Sequence, residues 1–207
     1  LLGNGELLGR TVLNIEQKQL LESMEVSGKG LLYLINDLLD VSKIAAGKFS
    51  IDEGEFNLES LLHEVKTIFY KRAEEAKLAF RVVSSAHYPQ LLLGDGHRIS
   101  QVLINLLGNA VKFTEQGHVT LTIKEDKQPH QQDQLCFTIE DEGIGMSPET
   151  LQQLFQPFEQ AEHSISRRFG GTGLGLYISK QLTDLMGGEI KVSSILGQGS
   201  RFEVRLP

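Results

Sequence analysis

The chain has 207 residues, 40% hydrophobic and 23% charged, with a net charge of −7, enough for one full domain plus a helical appendage. Its lysines and arginines are scattered, which excludes the clustered basic face that nucleic-acid phosphates require. A single cysteine, Cys136, excludes an internal disulfide, and no apolar run reaches the ~18 to 20 residues of a membrane span.

In chain order, residues 1–9 read as the last turns of a helix, and the opening Leu1-Leu2-Gly3-Asn4-Gly5 reads as the middle of a longer sequence, with no signal peptide. Residues 10–13 make a short connection. Asn14, with Gln17 three residues later, has the form of a capping box and predicts a helix start. From there to Ala46 no proline intervenes. Leu21, Met24, Gly28, Leu31, Ile35, Leu38, Ser42 and Ala45 alternate by three and four, a heptad seam widened by Leu20, Ser27, Leu34 and Val41. A stripe that wide exceeds what one hairpin can cover and predicts a four-helix bundle built by two chains. The plainer alternative is a helix packed on its own domain.

Gly47 ends that helix, giving a first region of residues 1–47 and a second of residues 48–207. In the second, strands are predicted over residues 48–52, 78–84, 90–93, 118–125, 134–141, 189–194 and 201–206. Helices are predicted over 58–76, 95–113 and 172–186, with a short one from Pro148. Strands come in neighbouring antiparallel pairs with helices grouped between them. This predicts an α+β, two-layer α/β sandwich: one mixed sheet with helices on one face. Cys136 reads as a buried strand thiol.

Four segments carry chemistry. Asn105, Asn109 and Lys112 fall at i, i+4 and i+7 and share one helix face. Two carboxamides and an ammonium suit a cation bridged to phosphates; the alternative is an ordinary polar helix face. Asp141-Glu142-Gly143-Ile144-Gly145-Met146 follows an apolar strand, where an aspartate can accept a hydrogen bond from an exocyclic amine and glycines admit a flat ring. It can equally be a glycine-rich turn. Gly170-Gly171-Thr172-Gly173-Leu174-Gly175-Leu176 runs into a helix, and N–H groups at such an end bind anions. Gly197-Gln198-Gly199-Ser200 is a tight turn offering a hydroxyl, and alone it signals only a hairpin.

In this order and spacing, the four segments resemble the N, G1, G2 and G3 boxes of sensor histidine kinases. Phe155-Gln156-Pro157-Phe158 stands where that family has its F box. Upstream, Leu34 to Gly47 resembles the end of the family's second dimerisation helix. The resemblance covers essentially the whole chain, in the style of bacterial hybrid sensors. It implies an ATP-binding fold of the Bergerat type behind a dimerising helical hairpin, ATP and Mg²⁺ as cofactors, and protein-histidine kinase activity. By resemblance, Asn109 ligates Mg²⁺ with Asn105 in support, Lys112 meets the phosphates, and Phe113 or Ile144 flanks the adenine. Asp141 holds the adenine amino group beside Gly143 and Gly145, with Ser200 assisting. Residues 159–171 form a lid, Gly171, Thr172, Gly173, Leu174, Gly175 and Leu176 back the phosphates, and Arg168 is a phosphate clamp or a solvated arginine.

Relatives that hydrolyse ATP carry glutamate at the place of Asn105, the general base for water attack. Asparagine takes no proton, so the resemblance implies transfer to a protein acceptor. That acceptor, a histidine in a His-Glu-x-x-Thr-Pro box, aligns just before residue 1. His63-Glu64-Val65-Lys66-Thr67 mimics the box but lacks the proline and lies in the ATP region. His87, His97, His118, His130 and His163 read as surface residues. Expected partners are ATP or ADP, a second copy of the chain and a response-regulator receiver domain, with no nucleic acid and no membrane contact. The region is expected in the cytoplasm, in a parent anchored in the bacterial inner membrane. Two readings stay open beside the kinase: a catalytically silent nucleotide-binding regulatory module, and a serine kinase of the anti-sigma type, against which the hairpin speaks.

Overall fold

A computed structural model of the chain describes residues 2–84, 91–126, 133–158 and 173–207. It divides into two compact units, Leu1–Phe49 and Ser50–Pro207.

The first unit is a helical hairpin of α1 (Leu2–Gly9) and α2 (Ile15–Ala45). The predicted capping box is present: Asn14 Oδ1 accepts from the Gln17 N–H at 2.8 Å, and Gln17 Oε1 accepts from the Asn14 N–H at 3.0 Å. This satisfies two donors that a helix start otherwise leaves open. Gly47, at φ +62°, closes α2 in a Schellman turn, its N–H on Ile44 O and that of Lys48 on Lys43 O. Leu2 of α1 leans on the bare face of Gly28, where a Cβ would stand 2.9 Å from it. Within this chain much of the apolar row stays in solvent: Met24, Leu31, Ile35 and Leu38 are 53%, 58%, 45% and 56% exposed.

The second unit holds β1 (Gly54–Asn57), α3 (Leu58–Glu75), β2 (Ala79–Ser84), β3 (Leu91–Gly94), α4 (Gly96–Phe113), β4 (His118–Asp126), β5 (Gln134–Asp141), α5 (Pro148–Gln153), α6 (Gly175–Leu185), β6 (Glu189–Ile195) and β7 (Gly199–Leu206). A five-stranded mixed sheet runs β2-β4-β5-β7-β6, antiparallel except for the parallel pair β2–β4. Its inner face buries Val119, Leu121, Ile123, Phe137, Ile139, Phe202 and Val204 against α3, α4 and α6, from which Phe69, Leu103, Leu106 and Leu182 reach the core. The opposite face carries a chain of ion pairs, Glu140–Arg201–Glu203–Arg205, which suits exposure to water.

Three expectations are corrected. The strand predicted at residues 48–52 begins instead at Gly54, and pairs with β3 in a separate two-stranded sheet. Its register follows Phe56, whose ring packs on Gly96 with no room for a Cβ there, while Asp52 N–H is taken by the Asp95 carboxylate at 3.1 Å. The residue 78–84 strand has a parallel neighbour, because β3 and α4 intervene before β4 and return the chain to the same end of the sheet. Cys136 lies half-buried on the sheet's polar face beside Thr138, since Phe137 and Ile139 take the inward positions; burial pushes its thiol up.

Candidate functional site: the ends of α4, β5 and β7

α4 owes its face to its pattern. Ile99, Val102, Leu103, Leu106, Leu107 and Ala110 are buried, leaving Asn105, Asn109 and Lys112 half-buried on the other side. Asp95 caps the helix, its carboxylate accepting from Arg98 N–H at 3.0 Å. Lys112 Nζ lies 4.7 Å from the centroid of the Phe113 ring, and burial lowers its pKa.

The end of α4 docks on the loop after β5. Phe113 O accepts the Ile144 N–H at 3.1 Å. Gly143 fits because it has no Cβ, which would run into Phe113 O and stand 2.8 Å from Asp141 Oδ1. Asp141 Oδ1 accepts the Gly143 N–H at 2.9 Å. Burial pushes the Asp141 carboxyl up, while the N–H groups of Gly143 and Ser200 pull it back. The turn between β6 and β7 closes over the same loop. Gly197 N–H donates to Ile144 O at 2.7 Å, and Asp141 is paired with Ser200 in the β5–β7 ladder. Gly145, at φ +62°, faces Ile195 O with no room for a side chain. Asp141, Gly143, Ile144, Gly145, Phe113 and Ser200 are thus brought together by main-chain bonds between three sequence segments.

Two serines join the site without having signalled themselves in sequence. Ser194 Oγ accepts the Met146 N–H at 2.9 Å, donates to Gly199 O at 2.8 Å and lies 3.0 Å from Ser200 Oγ. Ser179 Oγ, 1% exposed as a residue, accepts from Asn105 Nδ2 at 2.8 Å. Serines in an alternating strand and in an amphipathic helix look like spacers; only the tertiary pairing distinguishes them.

Of the third segment, Gly173, Leu174, Gly175 and Leu176 are described. Gly173 has φ +69°, which bars it from the helix and moves the start of α6 from the predicted Thr172 to Gly175. Gly173 O accepts the Phe158 N–H at 3.1 Å. Leu174 is buried, and the bare face of Gly175 is filled by the Asn105 carboxamide. Arg168, Gly171, Thr172 and the whole of the expected lid lie outside the described residues, as do His87, His130 and His163. His63 is exposed on α3. His118 is partly exposed, with its Nδ1 2.8 Å from Glu142 Oε2, which also accepts the His118 main-chain N–H at 3.1 Å. Among the described residues no three or more His, Cys, Asp or Glu side chains converge, and no helix is long and apolar enough to cross a membrane.

Comparison with known proteins matches two family models. Residues 94–207 match the histidine kinase-, DNA gyrase B-, and HSP90-like ATPases, and residues 1–47 match the His Kinase A phospho-acceptor domain. Hybrid signal transduction histidine kinase B of Dictyostelium discoideum is 40% identical over 206 residues, 100% of this chain and 10% of that protein. Sensor histidine kinase GacS of Pseudomonas protegens is 42% identical over 206 residues, 100% of this chain and 22% of that protein. The chain therefore spans only a tenth to about a quarter of such relatives. Among solved structures, full-length ShkA in complex with AMPPNP superposes with a TM-score of 0.79 at 33% identity, over 100% of this chain and 42% of that one. The chain belongs to the sensor histidine kinases, within the family of histidine kinase-, DNA gyrase B- and HSP90-like ATPases.

Proposed function

We propose that this chain is the ATP-dependent core of a protein-histidine kinase acting in two-component signalling. The observation that carries the proposal is Asp141: a partly buried carboxylate at a strand end, one oxygen held by the Gly143 N–H, placed to accept from the amino group of an adenine. The glycines around it let the loop pack its main chain on Phe113 O and Ile195 O, which holds the carboxylate in place. Asn109 offers a carboxamide oxygen on the same helix as the Lys112 ammonium, with Asn105 in support from its seat against α6, a set that suits Mg²⁺, a hard cation taking oxygen ligands. Mg²⁺, when bound, neutralises charge on the phosphates. Lys112 adds a second positive charge, and its partial desolvation strengthens that attraction.

Asparagine at position 105 supplies no base to activate water, so the γ-phosphate is reserved for an acceptor. That acceptor is a histidine on the first dimerisation helix, from which the phosphate passes to an aspartate of a receiver domain. The hairpin Leu2–Ala45 contributes a homodimer through its exposed apolar row. The parent is a phosphoprotein and a membrane sensor, with this region in the cytoplasm. Calorimetry of this chain with ADP and Mg²⁺ tests nucleotide binding. Acid-labile phosphate on a histidine, in the protein that includes the sequence before residue 1, tests transfer. Binding without any such label would instead establish a silent regulatory module.

A further inference from the structure

Asn105 has an environment that its neighbour Asn109 does not share. Its carboxamide lies against α6 at both ends: Nδ2 donates to Ser179 Oγ at 2.8 Å, and Oδ1 occupies the space that a side chain at Gly175 would fill. Ser179 is 1% exposed, one turn beyond Gly175 on the same helix. A carboxamide has two chemically opposite ends, and a 180° flip about its last torsion exchanges them with little steric change. Near a cation or phosphates that exchange matters, because the oxygen attracts a cation and the NH₂ group repels it. A serine hydroxyl both donates and accepts, so what a buried serine fixes is the position of the carboxamide that it holds.

We propose that Ser179 is a positioning residue: its hydroxyl holds one end of the Asn105 carboxamide while Oδ1 rests on the bare face of Gly175, and this seating keeps the α4 face of Asn105, Asn109 and Lys112 in place for phosphoryl transfer. Gly175 completes the clamp by leaving room for that oxygen. The inference rests on the kinase reading above and adds a residue to it. Ser179 touches neither nucleotide nor acceptor. Its effect passes through Asn105, in the way that outer partners of metal-binding groups act.

The test is a double-mutant cycle on phosphoryl transfer, in the protein that carries its acceptor histidine. Ser179→Ala, Asn105→Ala and the double variant are measured for transfer rate and for ADP affinity, with melting curves as a control on folding. Ser179→Thr, which keeps the hydroxyl, is the conservative partner. The expected result is a transfer rate lowered roughly 10- to 100-fold by Ser179→Ala, with ADP affinity within about twofold, recovery in Ser179→Thr, and no further loss when Ser179→Ala is added to Asn105→Ala. A merely structural role would lower melting temperature and leave the two losses additive, and that outcome overturns the proposal. So does an undiminished rate in Ser179→Ala alongside a slowed Asn105→Ala. An unaltered chain that binds no ADP would overturn the nucleotide reading itself, and this inference with it.

Discussion

The main chain of Gly199 passes so close over the carbonyl of Asp141 that no Cβ fits between them, and its φ of +101° is one that side-chain-bearing residues rarely adopt. Ser194 holds the same point from the side, through Gly199 O and Met146 N–H. The loop carrying Asp141 and the turn carrying Ser200 are therefore one body. Gly199→Ala is expected to cost about 1–3 kcal/mol of stability from backbone strain, and to weaken ADP binding by moving Asp141. Urea unfolding and calorimetry measure the two; a stable variant with normal affinity would contradict the closeness described.

Asp141 is expected to couple ADP binding to pH. Its folded-state pKa is raised above 3.8, burial being the largest cause. The sign follows: protonation of Asp141 favours the fold below the unfolded value, and that contribution is lost as pH rises through the folded value. At neutral pH the ionised group is thus a cost to the empty protein. Asp141→Asn should raise the melting temperature of the nucleotide-free chain near pH 7. Asp141→Ala should lose about 1–3 kcal/mol of ADP affinity, the usual cost of removing one partner of a buried hydrogen bond. ADP affinity of the unaltered chain should fall as pH drops through the Asp141 pKa, and the Asn variant should lack that dependence.

Leu31, Ile35 and Leu38 stand on α2 at 58%, 45% and 56% exposure. Leu31→Glu with Leu38→Glu should shift sedimentation at micromolar concentration towards the monomer while leaving ADP affinity unchanged, because the two compact units bury separate cores. A dimer that survives both charges would place the interface elsewhere.

His63 mimics an acceptor box but sits exposed on α3, with the Thr67 hydroxyl donating to its own main-chain carbonyl at 2.8 Å. Transfer requires the acceptor nitrogen in line with the γ-phosphate. His63→Ala should leave histidine labelling of the full protein unaltered. Label that disappears in this variant would make His63 the acceptor.

Lys77 ends α3 in a Schellman turn at φ +59°, its N–H on Glu74 O and that of Leu78 on Ala73 O. Glycine carries no Cβ penalty there. Lys77→Gly should stabilise the chain by about 1 kcal/mol, read from the urea midpoint.

Legibility followed the range of the signal. The capping box at Asn14, the Gly47 stop and the alternation of β4 and β5 are local, and each stands where its residues predict. Position 48–52 misled because its alternation has no partner in register, whereas Gly54 to Asn57 do. Asn105, Asn109 and Lys112 were visible as a helical face, and Asp141 as a strand end. The roles of Ser179 and Ser194 were not, since a hydroxyl declares itself only when a distant segment meets it: Asn105 lies 74 residues from Ser179. Gly175 is the subtler case. Its place in a glycine-rich run suggests phosphate, while its bare face is filled by an amide from α4.

The bond from Phe158 N–H to Gly173 O draws together the two ends of the segment 159–172. Closure entropy grows only with the logarithm of length, so doubling such a segment costs about 0.6 kcal/mol. A change in the length of that stretch therefore costs the fold little, and the loop of Asp141 keeps the main-chain bonds to Phe113 and Gly197 that hold it.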